Sequence, residues 1–310
     1  MLPILYLLAG FVLLFVSGDW LVKSSVQFAR HFKVSTLVIG VTVVAFGTSA
    51  PELLVSLNAV FDGAADISVG NVVGSNIANI ALVLGLVSVV YPVKVKKKTV
   101  WFDWLVMMLA TIGLMLGSRD GRISVGEGIL FLIVLVVYVI WVVYASRKQQ
   151  KKEEAIEAPS LPLWRAAVLF LMAAAGLYYG AEWLVLGAKD IAINLGVSER
   201  VIGISVVAIG TSVPELATSL IAAIKKESDI SIGNIVGSNI FNIWAVLGIT
   251  ATLKPIQVST SIMNIDYWWM LGIAVILLLA ILPLSKGIIT RWKGAVLFAI
   301  YLLYIYLLFV

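Results

Sequence analysis

The chain contains the same apolar sequence twice, and this internal repeat constrains its fold more than any other feature. Residues 38–60 read VIGVTVVAFGTSAPELLVSLNAV, and residues 201–223 read VIGISVVAIGTSVPELATSLIAA. A second block, DISVGNVVGSNIANIALVLGL at residues 66–86, returns as DISIGNIVGSNIFNIWAVLGI at residues 229–249. The offset is 163 residues in both blocks, with 15 of 23 and 15 of 21 positions identical. Polar groups are costly in hydrocarbon, so a repeated polar set predicts one polar site built from two halves.

The composition identifies the class of protein. Of the 310 residues, 61% are hydrophobic and only 13% are charged, whereas soluble domains carry about a quarter charged residues. A membrane crossing takes about 20 apolar residues. Ten segments qualify and are called spans 1–10: residues 2–28, 35–60, 67–91, 99–117, 123–146, 163–188, 198–223, 230–253, 263–284 and 291–310. The sequence therefore predicts an all-α polytopic membrane protein with ten transmembrane helices.

The loops predict how the spans are arranged. A polar linker, residues 147–162, separates two five-span halves, 1–146 and 163–310, which carry the repeats at about 38–86 and 201–249. Loops after odd-numbered spans hold sixteen Lys and Arg residues, against five in the other loops. Cytoplasmic loops are enriched in these residues, so we expect a cytoplasmic linker and both termini outside. Five is an odd number, so the halves form inverted repeats, the plan of many secondary transporters.

The first motif that carries chemistry is G-T-S-x-P-E, in the middle of spans 2 and 7. Proline removes a backbone donor and glycine adds conformational freedom, so we expect helices 2 and 7 to be broken and to expose carbonyl groups such as that of Ala45. Such carbonyls are tolerated in a membrane only when they are buried in protein or line a cavity. Thr48, Ser49 and Glu52 add hydroxyl and carboxylate oxygens. The equivalent residues of span 7 are Ala208, Thr211, Ser212 and Glu215.

The second motif is G-S-N-I-x-N, in spans 3 and 8. Ser75 and Asn79 lie four residues apart and share one face of a helix. Ser238 and Asn242 do the same in the second half, whereas Asn76 and its equivalent Asn239 point elsewhere and are expected to cap a helix or to bond between helices. The candidate ion-binding residues are therefore Ala45, Thr48, Ser49, Glu52, Ser75, Asn79, Ala208, Thr211, Ser212, Glu215, Ser238 and Asn242.

The candidate ligands are all oxygen atoms. The chain has no cysteine and a single histidine, His31, so the site suits hard cations such as Na⁺, Ca²⁺ and Mg²⁺. Two glutamates balance one Ca²⁺, and flexible coordination by six to eight oxygens favours Ca²⁺ over Mg²⁺. No nucleophile or aspartate dyad accompanies the glutamates, so an enzyme is not expected. The sequence implies no cofactor, nucleic acid or protein partner beyond the lipid bilayer, and we expect a monomer.

At these motifs the chain resembles the Ca²⁺/cation antiporter superfamily, in particular its prokaryotic Na⁺/Ca²⁺ exchanger branch, over essentially its whole length. The resemblance implies an antiporter that exchanges Na⁺ for Ca²⁺ across the plasma membrane by alternating access, with spans 1 and 6 sliding across the other eight. It places Ca²⁺ between Glu52 and Glu215, beside the backbone oxygens of Thr48 and Thr211. Competing Na⁺ ions would use the same glutamates together with Ala45, Ser49, Ser75, Asn79, Ala208, Ser212, Ser238 and Asn242.

The chain departs from the family pattern at one point. Several members carry aspartate at one of the positions held here by Asn79 and Asn242, so the number of Na⁺ ions per Ca²⁺ stays open. Two other functions also stay open. One is an antiporter that exchanges H⁺ for Ca²⁺ or another divalent cation, although hydroxyl groups are better ligands for Na⁺ than acceptors for H⁺. The other is a cation channel whose selectivity filter contains the paired glutamates.

Overall fold

The structure is a computed structural model that describes residues 2–95, 97–150, 158–195, 210–281 and 287–309. Helices occupy most of these residues, joined by short loops. In chain order they are α1 (Leu2–Phe32), α2 (Thr36–Thr48), α3 (Ala50–Phe61), α4 (Ala65–Val90), α5 (Lys97–Gly117), α6 (Val125–Gln150), α7 (Leu163–Asn194), α8 (Val213–Ile224), α9 (Ser228–Leu253), α10 (Ile262–Ile281) and α11 (Arg291–Phe309).

Each of these helices overlaps a predicted span, and together they make the chain a multi-pass membrane protein. Several extend beyond the predicted bounds; α1, for example, ends at Phe32 rather than at residue 28. Among the described residues, seven helices are long and apolar enough to cross a membrane, and α2 with α3 forms an eighth, bent crossing. Two shorter apolar helices, Trp101–Gly117 within α5 and Val213–Ile224, lie in spans 4 and 7. The first part of span 7, including Ala208, lies outside the described residues.

The G-T-S-x-P-E motif breaks span 2 as predicted. The axes of α2 and α3 differ in direction by 42°, and Ser49 between them has φ −84° and ψ 5°. Pro51 lies in the first turn of α3, where a missing N–H disrupts no intrahelical bond. Ser212 has nearly the same backbone angles, −88° and 0°, just before α8. The motif therefore begins a new helix in each half.

One detail of that prediction is wrong. The carbonyl of Ala45 is not left exposed, because it accepts a hydrogen bond of 3.0 Å from the backbone N–H of Ser49. The turn at Ser49 thus closes the end of α2 before the proline begins α3. A carbonyl oxygen has two lone pairs, so Ala45 can still offer one of them to a cation.

Several helices contain π-helical segments that the sequence did not predict. The segments in α4 and α9 span Asn79–Leu84 and Asn242–Leu247, and they begin at two candidate residues 163 positions apart. Another lies in α2, at Gly40–Val44. Single π-helical turns are rare and often occur at functional sites. The segments of α4 and α9 start at equivalent residues, so the helix geometry changes at the same point of both halves.

The two central helices are α4 and α9. Their most apolar stretches are 83% and 94% buried, against 28% for α1 and α7. Glycine allows α9 to approach α2 closely: a Cβ atom on Gly237 would lie 2.6 Å from the Cα atom of Val41. Small residues at such contacts let membrane helices pack backbone to backbone. The candidate site residues of α4 and α9 therefore lie in the most deeply buried of the described membrane-spanning helices.

Helices α1 and α7 form an antiparallel pair at the periphery. A Cβ atom on Gly10 would lie 2.6 Å from the backbone nitrogen of Leu184, and one on Gly187 would lie 2.6 Å from the carbonyl oxygen of Pro3. Asp19 of α1 forms ion pairs with Lys23, at 2.7 Å, and with Lys225 at the end of α8. The pair is thus tightly packed internally and is tied to α8 by a partly exposed ion pair.

Short antiparallel strands join loops of opposite halves, a feature that the sequence did not predict. Strand β1 (Val93–Lys94) follows α4 and pairs with β4 (Ile288–Ile289), which precedes α11. Strand β2 (Arg122–Ile123) precedes α6 and pairs with β3 (Ile256–Gln257), which follows α9. Each pair therefore joins one strand of the first half to one strand of the second half.

Candidate functional site

The candidate residues converge from both halves of the chain. Thr211 is half-buried and the other described candidates are buried; Ala208 lies outside the described residues. The hydroxyl oxygens of Thr48 and Ser238 lie 3.2 Å apart, and those of Ser75 and Thr211 lie 3.4 Å apart. These two contacts are equivalent under the 163-residue offset. Each joins the G-T-S-x-P-E motif of one half to the G-S-N-I-x-N motif of the other.

The two glutamates are the charged groups of the site. Glu52 and Glu215 lie in the first turns of α3 and α8, are 0% exposed, and interact with each other electrostatically. In the described part of the chain, no group meets the distance and angle of a hydrogen bond to any of their four carboxylate oxygens. The hydroxyl of Ser75 lies near the carboxylate of Glu52, and the hydroxyl of Thr48 lies near that of Glu215. Buried carboxylates are costly without a counter-charge, so this pair requires a cation or a proton.

Other unpartnered polar atoms lie on the same residues. Fourteen buried side-chain nitrogen and oxygen atoms lack a hydrogen-bond partner among the described residues, and nine of them belong to candidate residues. Besides the carboxylates these are the hydroxyls of Ser49 and Ser212, both amide atoms of Asn79, and Oδ1 of Asn242. Buried polar groups in proteins are nearly always hydrogen-bonded. Their concentration here provides eight oxygens that can coordinate cations.

The sequence reasoning missed two asparagines that support the site. The hydroxyl of Thr48 donates to Oδ1 of Asn234 at 2.9 Å, and Nδ2 of Asn234 donates to Ser219 at 3.0 Å. In the first half, Nδ2 of Asn71 contacts the hydroxyl of Ser56 and the backbone oxygen of Glu52, both at 3.2 Å. These bonds tie α9 to α2 and α8, and α4 to α3. The internal repeat indicated these residues, because Asn71 and Ser56 both recur 163 residues later, as Asn234 and Ser219.

The remaining asparagines link α4 to α9, as expected for Asn76. Its Nδ2 donates to the backbone oxygen of Asn239 at 3.2 Å, and its Oδ1 accepts from Nδ2 of Asn242 at 3.1 Å. The amide nitrogen of Asn239 instead donates to the backbone oxygen of Ile235 in its own helix at 2.8 Å, a bond that the sequence did not predict. The two halves differ here, although their sequences match.

The charge of the site restricts its chemistry. Within the described ranges, no group of three or more His, Cys, Asp or Glu side chains could hold a metal ion. The site instead combines two carboxylates with neutral hydroxyl, amide and carbonyl oxygens. Such oxygen ligands select hard cations.

Comparisons with known proteins agree with this chemistry. The family model described as "Sodium/calcium exchanger protein" matches residues 2–144 and 165–310. The putative antiporter CaxA of Alkalimonas amylolytica is 37% identical over 98% of both chains, and the sodium/calcium exchanger MaX1 of Methanosarcina acetivorans is 31% identical over 98% of both. A solved structure of the sodium-calcium exchanger NCX_Mj, soaked with Na⁺ and Sr²⁺, is 36% identical over 97% of both chains, with a TM-score of 0.82.

Proposed function

The chain belongs to the sodium/calcium exchanger family, and we propose that it exchanges Na⁺ for Ca²⁺ across the plasma membrane by alternating access. The observation that carries this proposal is the pair of fully buried carboxylates, Glu52 and Glu215, whose oxygens have no hydrogen-bond partner among the described residues. The pair lies where the two halves meet. The names of its relatives, an antiporter and two sodium/calcium exchangers, support the choice of ions and fit a transporter rather than an enzyme.

In the proposed mechanism both ions use the same carboxylates. Ca²⁺ binds between Glu52 and Glu215, whose combined charge balances it, with backbone oxygens of Thr48 and Thr211 completing the coordination. Na⁺ ions bind to the same glutamates with the hydroxyl and amide oxygens of the candidate residues around them. Binding of the two ions is therefore mutually exclusive, and this competition couples their movements without contact between distant sites.

The proposal includes ten membrane crossings arranged as inverted repeats. With ten crossings, the loops after α4 and before α11 share one face of the membrane, and the loops before α6 and after α9 share the other. The strand pairs join these same loops, β1 with β4 and β2 with β3, which supports the count. By the distribution of Lys and Arg, the first face is cytoplasmic and both termini lie outside.

Alternating access requires one part of the protein to move against another. We assign the moving part to the α1/α7 pair, because these helices are peripheral and are packed mainly against each other through glycines. The fixed part contains α4 and α9, which hold the polar network. Movement of α1 and α7 across this core would open the site to one face at a time.

Ca²⁺ uptake into proteoliposomes tests the proposed function. Vesicles are loaded with Na⁺, with K⁺, or with K⁺ plus an outward proton gradient, and labelled Ca²⁺ is added outside. We expect uptake only into the Na⁺-loaded vesicles. Uptake that ignores Na⁺ and follows the proton gradient would overturn the proposal in favour of H⁺/Ca²⁺ exchange, since the same unpartnered carboxylates can bind protons. Passive flux far above the turnover of a carrier would indicate a channel.

A further inference from the structure

A chain of hydrogen bonds runs from the backbone of α9, through Asn76 of α4, and back to Asn242 of α9. Nδ2 of Asn76 donates to the backbone oxygen of Asn239 at 3.2 Å and also contacts the sulfur of Met270 at 3.7 Å. Oδ1 of Asn76 accepts from Nδ2 of Asn242 at 3.1 Å. Asn76 and Asn242 are 1% and 0% exposed, so water does not compete for these bonds.

The direction of this chain is fixed by chemistry. A backbone carbonyl can only accept a hydrogen bond, so the atom of Asn76 that faces Asn239 must be the amide nitrogen. Oδ1 of Asn76 then faces Asn242, which must present its own nitrogen in return. The only orientation left for Asn242 directs its Oδ1 away from Asn76. That oxygen is buried and has no partner within the described residues.

The equivalent residues of the first half lack this arrangement. Asn79 is the counterpart of Asn242, and both of its amide atoms are unpartnered in the part of the chain that the structure describes. The side chain that could orient it, Asn239, donates to its own helix at Ile235. These two residues are identical in the repeat, but the number of orientations open to the side-chain amide differs. The amide of Asn242 has one orientation and that of Asn79 has two.

We infer that Asn76 is a positioning residue that holds the amide of Asn242 with its carbonyl oxygen available to Na⁺. This inference rests on the proposed function, in which Asn242 is a ligand of Na⁺ and Ca²⁺ depends on the glutamates and backbone oxygens. Without Asn76, the amide of Asn242 is free to turn and to present its N–H groups to the cation. Loss of Asn76 should thus weaken Na⁺ binding and spare Ca²⁺ binding.

Ca²⁺/Ca²⁺ exchange measures the two ions separately. Vesicles are loaded with unlabelled Ca²⁺, and uptake of labelled Ca²⁺ gives the KM for Ca²⁺ without Na⁺. Titration of external Na⁺ then gives the concentration that halves uptake. For Asn76→Ala we expect this concentration to rise about five- to tenfold, the effect of losing one ordinary hydrogen bond. The KM for Ca²⁺ should change less than about twofold, because no proposed Ca²⁺ ligand depends on Asn76.

Two further variants separate positioning from packing. Asn239→Ala removes an equally buried, symmetry-related amide but keeps the backbone oxygen that Asn76 contacts, so Na⁺ inhibition should stay near that of the wild type. The double variant Asn76→Ala with Asn242→Ala should bind Na⁺ as tightly as Asn242→Ala alone, because Asn76 acts through Asn242. If Asn76→Ala does not fold, Asn76→Ser replaces it, since a serine hydroxyl is too short to span the same gap.

The outcomes distinguish the inference from the function on which it rests. A wild-type protein whose Ca²⁺ exchange ignores Na⁺ would overturn the proposed function itself. Normal competition in the wild type combined with unchanged Na⁺ inhibition in Asn76→Ala would overturn the inference alone. Equal losses for Na⁺ and Ca²⁺, equal effects of Asn239→Ala, or additive effects in the double variant would each show that Asn76 only packs the helices.

Discussion

The prediction that bears most directly on the site is that neither glutamate can be replaced by glutamine. Glu52→Gln and Glu215→Gln keep the size of the side chain and remove one negative charge from a fully buried pair. The carboxylate oxygens have no partner among the described groups, and the ligands proposed around them are neutral. Nothing nearby can therefore replace the lost charge, and one unit of charge on a bound Ca²⁺ stays unbalanced.

The size of the effect follows from this burial. Removing one partner from a buried charge pair costs about 3–5 kcal/mol, and each 1.4 kcal/mol is a factor of ten in affinity. We expect Ca²⁺ affinity to fall by roughly 10² to several times 10³ in either variant, which should abolish exchange at Ca²⁺ concentrations that half-saturate the wild type. Because the two glutamates occupy equivalent positions in the repeats, the two losses should be similar.

The assay is Na⁺-driven uptake of labelled Ca²⁺ into proteoliposomes, with Glu127→Gln as the matched control. Glu127 accepts hydrogen bonds from the backbone and hydroxyl of Ser124, at 2.7 and 2.8 Å, at the start of α6. Glutamine serves equally well in such a capping box, so this variant should transport normally. Size-exclusion profiles show whether each variant is folded. Near-normal transport in both Glu52→Gln and Glu215→Gln would refute the assignment of the site.

Two further predictions concern the packing around the site, and thermal unfolding in detergent measures both. Thr48→Val leaves the buried Oδ1 of Asn234 without its 2.9 Å hydrogen bond, so this variant should lose about 1–3 kcal/mol of stability. Thr211 is half-buried and would lose only a 3.4 Å contact, so Thr211→Val should lose less. Equal losses in the two variants would contradict this reasoning. Gly10→Ala places a Cβ atom 2.6 Å from the backbone of α7, whereas Gly272→Ala meets no described atom within 4 Å. Only the first should destabilise the protein, and an unchanged unfolding temperature in Gly10→Ala would mean that α1 and α7 pack more loosely than described.

The sequence predicted the parts of this protein that depend on local chemistry. The proline of G-T-S-x-P-E indicated a break in span 2, and the structure bends there by 42°. The same reasoning failed at Ala45, since it treated the proline as a defect within one helix. Ser49 instead ends α2 with a hydrogen bond to Ala45, and Pro51 belongs to the next helix. The spacing of Ser75 and Asn79 indicated a shared polar face; Ser75 contacts Thr211, whereas the amide of Asn79 has no partner among the described residues.

Features that depend on contacts between the halves were not predictable in this way. The π-helical segment Asn79–Leu84 has an ordinary apolar composition, and nothing in those letters indicates a changed hydrogen-bond register. The two-residue strands are too short to leave a pattern, and each is paired with a segment more than 130 residues away. The different surroundings of Asn76 and Asn239 also arise only in three dimensions, because the repeat presents them as identical.

The pairing of polar groups across the halves has a consequence for biosynthesis. Thr48 finds its partners in Asn234 and Ser238, which leave the ribosome almost 190 residues later. Until then the first half must reside in the membrane, or at its insertion machinery, with a hydroxyl and a carboxylate that lack their final neighbours. The polar groups of the first half therefore gain their final partners only after the second half has been inserted. A truncated product that ends after α6 should be a substrate for membrane quality control rather than half of a transporter.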